Sequence, residues 1–271
     1  MIVNFTLLLM AASPQVQWLG PPPVDDVRRV VTLAPSLTET MIELDAVDRL
    51  VGVTRFDEHP LVAKVARVGG FVDPSLEAIT GLKPDLIVVQ KAPGNQKAIE
   101  TLARLGFSIV AMPLTRIDDV AESYRVLGRV LKAEVKAKAL IDALAAMRVQ
   151  VRSLAKKRSK KRVLMLYGYS PFVVAGPGSF AHELLEDCGA TNLADRSPTS
   201  YPVYSVEHLV KLKPEVIVDS VDVMEGQASL RNIPQLQSTR WIKLSSQELL
   251  HPGPSLTKGL EELCRLIHDE E

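Results

Sequence analysis

Two stretches of this chain, 130 positions apart, share one pattern: SLEAITGLKPDLIVV (75–89) and SVEHLVKLKPEVIVD (205–219). Ser75 matches Ser205, Glu77 matches Glu207, and Lys83-Pro84 matches Lys213-Pro214. Each copy reads as a serine-capped helix stopped by Lys-Pro, then an acidic residue and an apolar strand. Self-similarity on this scale constrains architecture before any single motif does. Two copies are too few for a solenoid. The chain is therefore expected to form two similar lobes related by a pseudo-twofold axis. A carboxylate in the first turn of each helix gains ~0.3–1 kcal/mol from the helix dipole, which favours the matched glutamates in both copies.

The flanking order supports two α/β lobes. Strands are expected at 28–35, 49–56, 85–90 and 107–113, with helices at 36–44, 75–82 and 95–106. Ser36 and Glu39 have the spacing of a capping box. Strands apolar throughout and alternating with helices imply parallel sheets covered on both faces. Residues 117–158 have no proline and a single glycine, Gly128. Their apolar residues recur at helical spacing, which predicts one long helix or two nearly continuous ones. KKRSKKR (156–162) reads as its solvated cationic end. The α/β pattern then restarts, with strands at 162–168, 215–220 and 241–245 and helices at 179–189, 205–212 and 255–268. The expected organisation is a leader and spacer (1–23), an N-terminal lobe (24–116), a connecting helix (117–158) and a C-terminal lobe (159–271). A stiff connection predicts little closure. The ligand cleft is expected between the lobes, at the carboxyl ends of the strands.

Lys plus Arg and Asp plus Glu both number 32, so the electrostatic footprint of a nucleic-acid binder is missing. The run FTLLLMAAS (5–13), followed by Pro21, Pro22 and Pro23, resembles a secretory leader and spacer, though no basic residue precedes it. Cys188 and Cys264 suit an oxidising compartment or two buried thiols equally. Nucleotide-binding loops, a nucleophile elbow and HExxH are absent, so no enzyme chemistry is visible. The five histidines show no metal-ligand spacing. His59 and His251 each precede a proline in a loop near the expected cleft.

Aromatic residues are only 5% of the chain, yet seven fall at the strand-end loops: Phe56, Phe71, Tyr167, Tyr169, Phe172, Tyr201 and Tyr204. Flat rings with polar tips suit a large planar ligand. Arg55 and Lys91, beside two of these positions, suit an anionic ligand group or a solvated loop.

The segments VVTLAPSLTE, GVTRFDEHP and VGGFVDPSLEAITGLKPDLIVV, with the long helix and second lobe, resemble the substrate-binding proteins of cobalamin, haem and ferric-siderophore ABC importers. The resemblance covers about residues 28–268 and is strongest to the cobalamin binders. It implies a periplasmic monomer with no catalytic activity, no metal site and no resident cofactor. That monomer would deliver a corrinoid or other metal chelate to a membrane permease dimer. A haem or ferric-siderophore binder is the second reading, and a cytosolic two-lobed enzyme the third. The resemblance places Phe56, Phe71, Gln90, Phe172 and Tyr201 around the ligand, and Arg55 and Tyr169 join them by their place in the strand-end loops. Phe71, Gln90 and Tyr201 stand where the cobalamin binders carry tryptophan. It assigns Glu77 and Glu207 to permease docking, and implies a Cys188–Cys264 disulfide.

Overall fold

The computed structural model describes residues 16–92, 94–220, 230–245 and 251–268. The N-terminal sheet contains β1 (Gln17–Leu19), β2 (Val30–Thr32), β3 (Leu50–Val53), β4 (Ala66–Arg67), β5 (Leu86–Gln90) and β6 (Ile109–Met112). Their order is β1-β6-β5-β2-β3-β4. Strands β2 to β6 are parallel, and β1 adds an antiparallel edge to β6. The C-terminal sheet contains β7 (Arg162–Tyr169), β8 (Phe172–Val174), β9 (Thr191–Asn192), β10 (Val203–Tyr204), β11 (Val216–Asp219) and β12 (Arg240–Ile242). It is ordered β10-β8-β7-β11-β12, with β9 also pairing β7. The expected parallel pairing holds for β7, β11 and β12. Where a tight hairpin replaces a helical crossover, at β7–β8, the pairing is antiparallel.

The helices are α1 (Pro35–Glu43), α2 (Leu76–Gly81), α3 (Gln96–Arg104), α4 (Ile117–Leu131), α5 (Glu134–Ala155), α6 (Phe180–Asp187), α7 (Val206–Leu212) and α8 (Leu256–His268). Side chains alternate along the strands, so Leu86 and Val88 enter one core while Ile87 and Val89 enter another. The largest core runs through both lobes, from Met41 and Met112 past Tyr124 and Leu144 to Leu184 and Leu260. The opposite face of each sheet has its own core. In the N-terminal lobe this core includes Ile79 of α2 and Leu102 of α3, and in the C-terminal lobe Leu209 of α7.

The repeat is reproduced in the backbone. Ser75 and Ser205 accept hydrogen bonds from the amides of Ala78 and His208. Proline bars the ordinary helical conformation for the residue before it. Lys83 and Lys213 accordingly close their helices in the left-handed region, at φ 46° and 48°. Asp85 then accepts from the amides of Arg28 and Arg29, as Glu215 does from that of Arg162. Val30 pairs Leu86, and Val163 pairs Val216. The likeness thus extends to the strand preceding each copy.

Residues 117–158 depart from a continuous rod. α4 stops at Lys132, which is left-handed at φ 58°, and α5 runs back along it. Arg148 of α5 lies 3.8 Å from Asp118 of α4. A side chain at Gly128 would meet Ala137 at 2.3 Å. The element joining the lobes is therefore α5 alone, 22 residues and about 33 Å long. Its first turn bonds the N-terminal lobe through Lys136–Asp45. Its second half binds the C-terminal lobe, where Arg148 and Arg152 both meet Asp187, 1% exposed.

Two local expectations change. Ser36 is not the cap of α1. Pro35 occupies the first turn, Ala34 is the N-cap, and Ser36 is buried. Within the stretch assigned to leader and spacer, Gln17–Leu19 is strand β1. The residues after it are also anchored, since Ser108 donates to the Pro21 carbonyl. A side chain at Gly20 would lie 2.1 Å from the Phe107 carbonyl oxygen. The apolar run 5–13 lies outside the described residues.

Candidate functional site

The carboxyl ends of the strands gather four of the expected site residues in the N-terminal lobe. After β3, the amide and hydroxyl of Thr54 donate to the buried Asp57 carboxylate at 2.7 and 2.6 Å. This tight turn leaves Phe56 53% exposed. The Arg55 guanidinium lies 4.8 Å from the Phe56 ring centroid and forks onto Asp73 with two 2.9 Å bonds. Arg55 thereby holds the Asp73 carboxyl below the usual range. A side chain at Gly70 would lie 2.7 Å from that guanidinium, so any larger residue there would displace the Arg55–Asp73 fork. Arg55 fastens two loops together.

Asn95 fastens the third. It is fully buried, and its amide donates to the carbonyls of Phe71 (3.1 Å) and Gln90 (2.8 Å). Its side-chain oxygen accepts from the Ala92 amide at 3.0 Å. The Phe71 ring is half-buried against the main core. Lys91 turns to strand β1, donating to Gln17 Oε1 at 2.9 Å. Sequence reasoning missed Asn95 because it reads as the first residue of the helix 95–106, whereas it precedes α3 and its side chain bonds the loops instead of the helix.

In the C-terminal lobe, Tyr201 packs edge-on against Tyr167, with centroids 5.5 Å apart. Burial raises the pKa of both hydroxyls, although the Tyr201 residue remains 46% exposed. The Gly176-Pro177-Gly178 turn positions this loop. Gly176 donates to the Ser200 carbonyl, and a side chain there would meet the Thr199 oxygen at 2.5 Å. Tyr169 and Phe172 are placed differently. A register shift between Leu166 and Gly168 reverses the alternation of β7. Tyr167 stays with Val163 and Met165 in the main core, whereas Tyr169 is switched to the core beneath α7, where it meets Phe172 with centroids 6.3 Å apart.

The lobes meet at a cavity of about 60 Å³. Glu39, Asp57, Glu58 and His59 line it from one side, and His251 and Ser255 from the other. The Ser255 hydroxyl donates to Glu39. Arg116 at the start of α4 bridges to Glu183 of α6 at 2.9 Å. Among the described residues no cluster of three or more His, Cys, Asp or Glu is arranged for a metal ion.

Glu77 and Glu207 are exposed at the starts of α2 and α7. Hydrogen bonds from its own backbone and from Ser205 lower the Glu207 pKa, keeping it a carboxylate. Cys188 and Cys264 are joined in a disulfide, with Cα atoms 4.8 Å apart, tying the end of α6 to α8.

Residues 30–240 match the family described as periplasmic binding protein. A vitamin B12-binding protein of Salmonella paratyphi A is 26% identical over 247 residues, covering 87% of this chain and 91% of its own. The structure of the periplasmic vitamin B12 binding protein BtuF of Vibrio cholerae superposes with a TM-score of 0.74 at 23% identity, covering 89% and 96% of the two chains. A periplasmic heme binding protein from Pseudomonas aeruginosa gives 0.76 at 25%, covering 89% and 93%.

Proposed function

This chain belongs to the periplasmic binding protein family, and from that premise we propose that it is the substrate-binding protein of an ABC importer, capturing cobalamin or a related corrinoid outside the cytoplasm. Phe56, Phe71, Gln90 and Tyr201 contact the ligand, and no bond is made or broken. Tyr169 and Phe172 serve the hairpin that carries the neighbouring Tyr167. Glu77 and Glu207, related by the pseudo-twofold axis, dock on two equivalent sites of a permease dimer. Such charge pairs set orientation and encounter rate more than affinity.

The observation that carries the choice of ligand is the charge around the exposed rings. Arg55 is taken by Asp73, Lys91 by Gln17 and Arg116 by Glu183. The junction cavity is lined by three carboxylate side chains. A corrin ring is rimmed by neutral amides, whereas haem carries two propionates and many ferric siderophores are anionic. Among the described residues, Arg55 beside the Phe56 ring is neutralised by Asp73, and a ring with its neighbouring cation so paired suits the neutral rim. Protein mixed with hydroxocobalamin and desalted should retain the corrinoid absorbance, and a titration should saturate at one equivalent. Retention of haemin or a ferric siderophore with no corrinoid binding would overturn the choice of ligand and leave the importer role standing.

A further inference from the structure

The base of the C-terminal lobe carries a charged surface that ligand capture does not use. Residues 156–162 hold six of the chain's 32 Lys and Arg and none of its 32 Asp and Glu. Lys156 caps α5, where positive charge offsets the helix dipole, an effect confined to the last turn. The cations beyond that turn need another explanation. Lys156, Lys157, Arg158 and Lys160 are all exposed, and none forms an ion pair among the described residues.

Beside this run lies an open groove of about 700 Å³. The run's own Lys161 and Arg162 line it, and two more elements bring cations to it: Lys213 after α7 and Arg240 at the start of β12. Its one carboxylate among the described residues, Glu215, is occupied by the amide and guanidinium of Arg162. The groove lies at the end of α7 away from Glu207, so the docking carboxylate and the basic base occupy opposite ends of that helix. Among the described residues no aromatic lines the groove, and single-stranded nucleic acids are held by stacking platforms.

We propose that this run and groove form a docking surface for an anionic phospholipid bilayer, with lipid phosphates seated against Lys161, Lys213 and the exposed lysines of the run. The choice of a bilayer rests on the reading of the chain as a binding protein that serves a membrane permease. Each Lys or Arg near an anionic surface adds to the attraction, which salt screens within a Debye length. Bound by its base, the protein stays at the membrane with Glu77 and Glu207 facing away, so lipid binding competes with permease docking.

The test is flotation of the full chain with phosphatidylcholine vesicles, with and without phosphatidylglycerol, at low and high salt. The wild type should float only with phosphatidylglycerol and only at low salt. The variant Lys156→Gln, Lys157→Gln, Lys160→Gln, Lys213→Gln should partition about tenfold or more weaker, with an unchanged melting temperature and unchanged corrinoid titration. Equal flotation with both lipids, or a variant within about twofold of wild type, would overturn the proposal. So would single-stranded DNA binding as strong as vesicle binding. Vesicle binding without corrinoid binding would uphold the surface and refute the ligand. Corrinoid binding without vesicle binding would do the reverse.

Discussion

Replacing Asn95 by alanine isolates the fastening of the N-terminal ligand loops. The substitution removes hydrogen bonds to the Phe71 and Gln90 carbonyls and from the Ala92 amide. Each bond contributes about 1 kcal/mol net, and a buried group left unpaired costs about 1–3 kcal/mol. Phe71, Gln90 and Ala92 are only half-buried, so water replaces part of what is lost. The expected cost is therefore about 2–3 kcal/mol, near the sum of net bond energies. At roughly 2–4 °C per kcal/mol for a chain of this size, the melting temperature should fall by about 5–10 °C. Corrinoid affinity should drop about tenfold, because Phe71 and Gln90 lose their common support. Asn95→Asp supplies a second test. Its carboxylate still accepts from Ala92 but faces two carbonyl oxygens, so its folded pKa rises above the unfolded value of about 3.9. The penalty is complete above the folded pKa, shrinks as pH falls through it and vanishes below the unfolded value of about 3.9. Thermal melts, ligand titration and hydrogen exchange at the Ala92 amide read these effects. An alanine variant within about 0.5 kcal/mol of wild type, with Ala92 protection unchanged, would refute the reasoning.

Removing the disulfide with Cys188→Ser and Cys264→Ser opens a loop closed over 76 positions. It should cost about 2–4 kcal/mol, seen as a lower melting temperature that added reductant no longer changes. The Glu77→Arg, Glu207→Arg double variant should bind ligand as the parent does and fail to deliver it to the permease, and transport at the parental rate would dismiss the docking role. Tyr124 and Tyr167 are held protonated by burial, with folded pKa values above their unfolded value. The stability this represents is complete below pH ~10 and is lost as pH rises further. Phenolate absorbance should therefore rise in two stages, the later one coinciding with alkaline unfolding.

The two-lobed architecture was legible because its signals are local and duplicated. Serine caps, Lys-Pro stops and apolar strands fix their own conformations, and seeing each twice removed ambiguity. Other features depend on partners distant in sequence. The turn at Lys132 is invisible to periodicity because the apolar spacing continues across it into α5. β1 was given to the leader because three residues on an edge carry little pattern, and it is β6 that makes them a strand. Tyr169 was grouped with Tyr167 on spacing alone, and the β-bulge separated them. Arg55 showed no sign of its partner, since Asp73 is 18 positions away. Phe71 and Tyr201 were legible as loop rings because Gly and Pro surround them, and Tyr201 is indeed 46% exposed while Phe71 packs half-buried on the main core.

The uninterrupted course of α5 also makes it a gauge. Its near end is held by one lobe and its far end by the other, so its length and phase fix the span between the carboxylates of Glu77 and Glu207. Adding a single residue at its midpoint would shift one lobe by about 1.5 Å and swing it about 100° around the helix axis. Both halves could then fold, yet the pair of acidic tips would no longer match a twofold receptor.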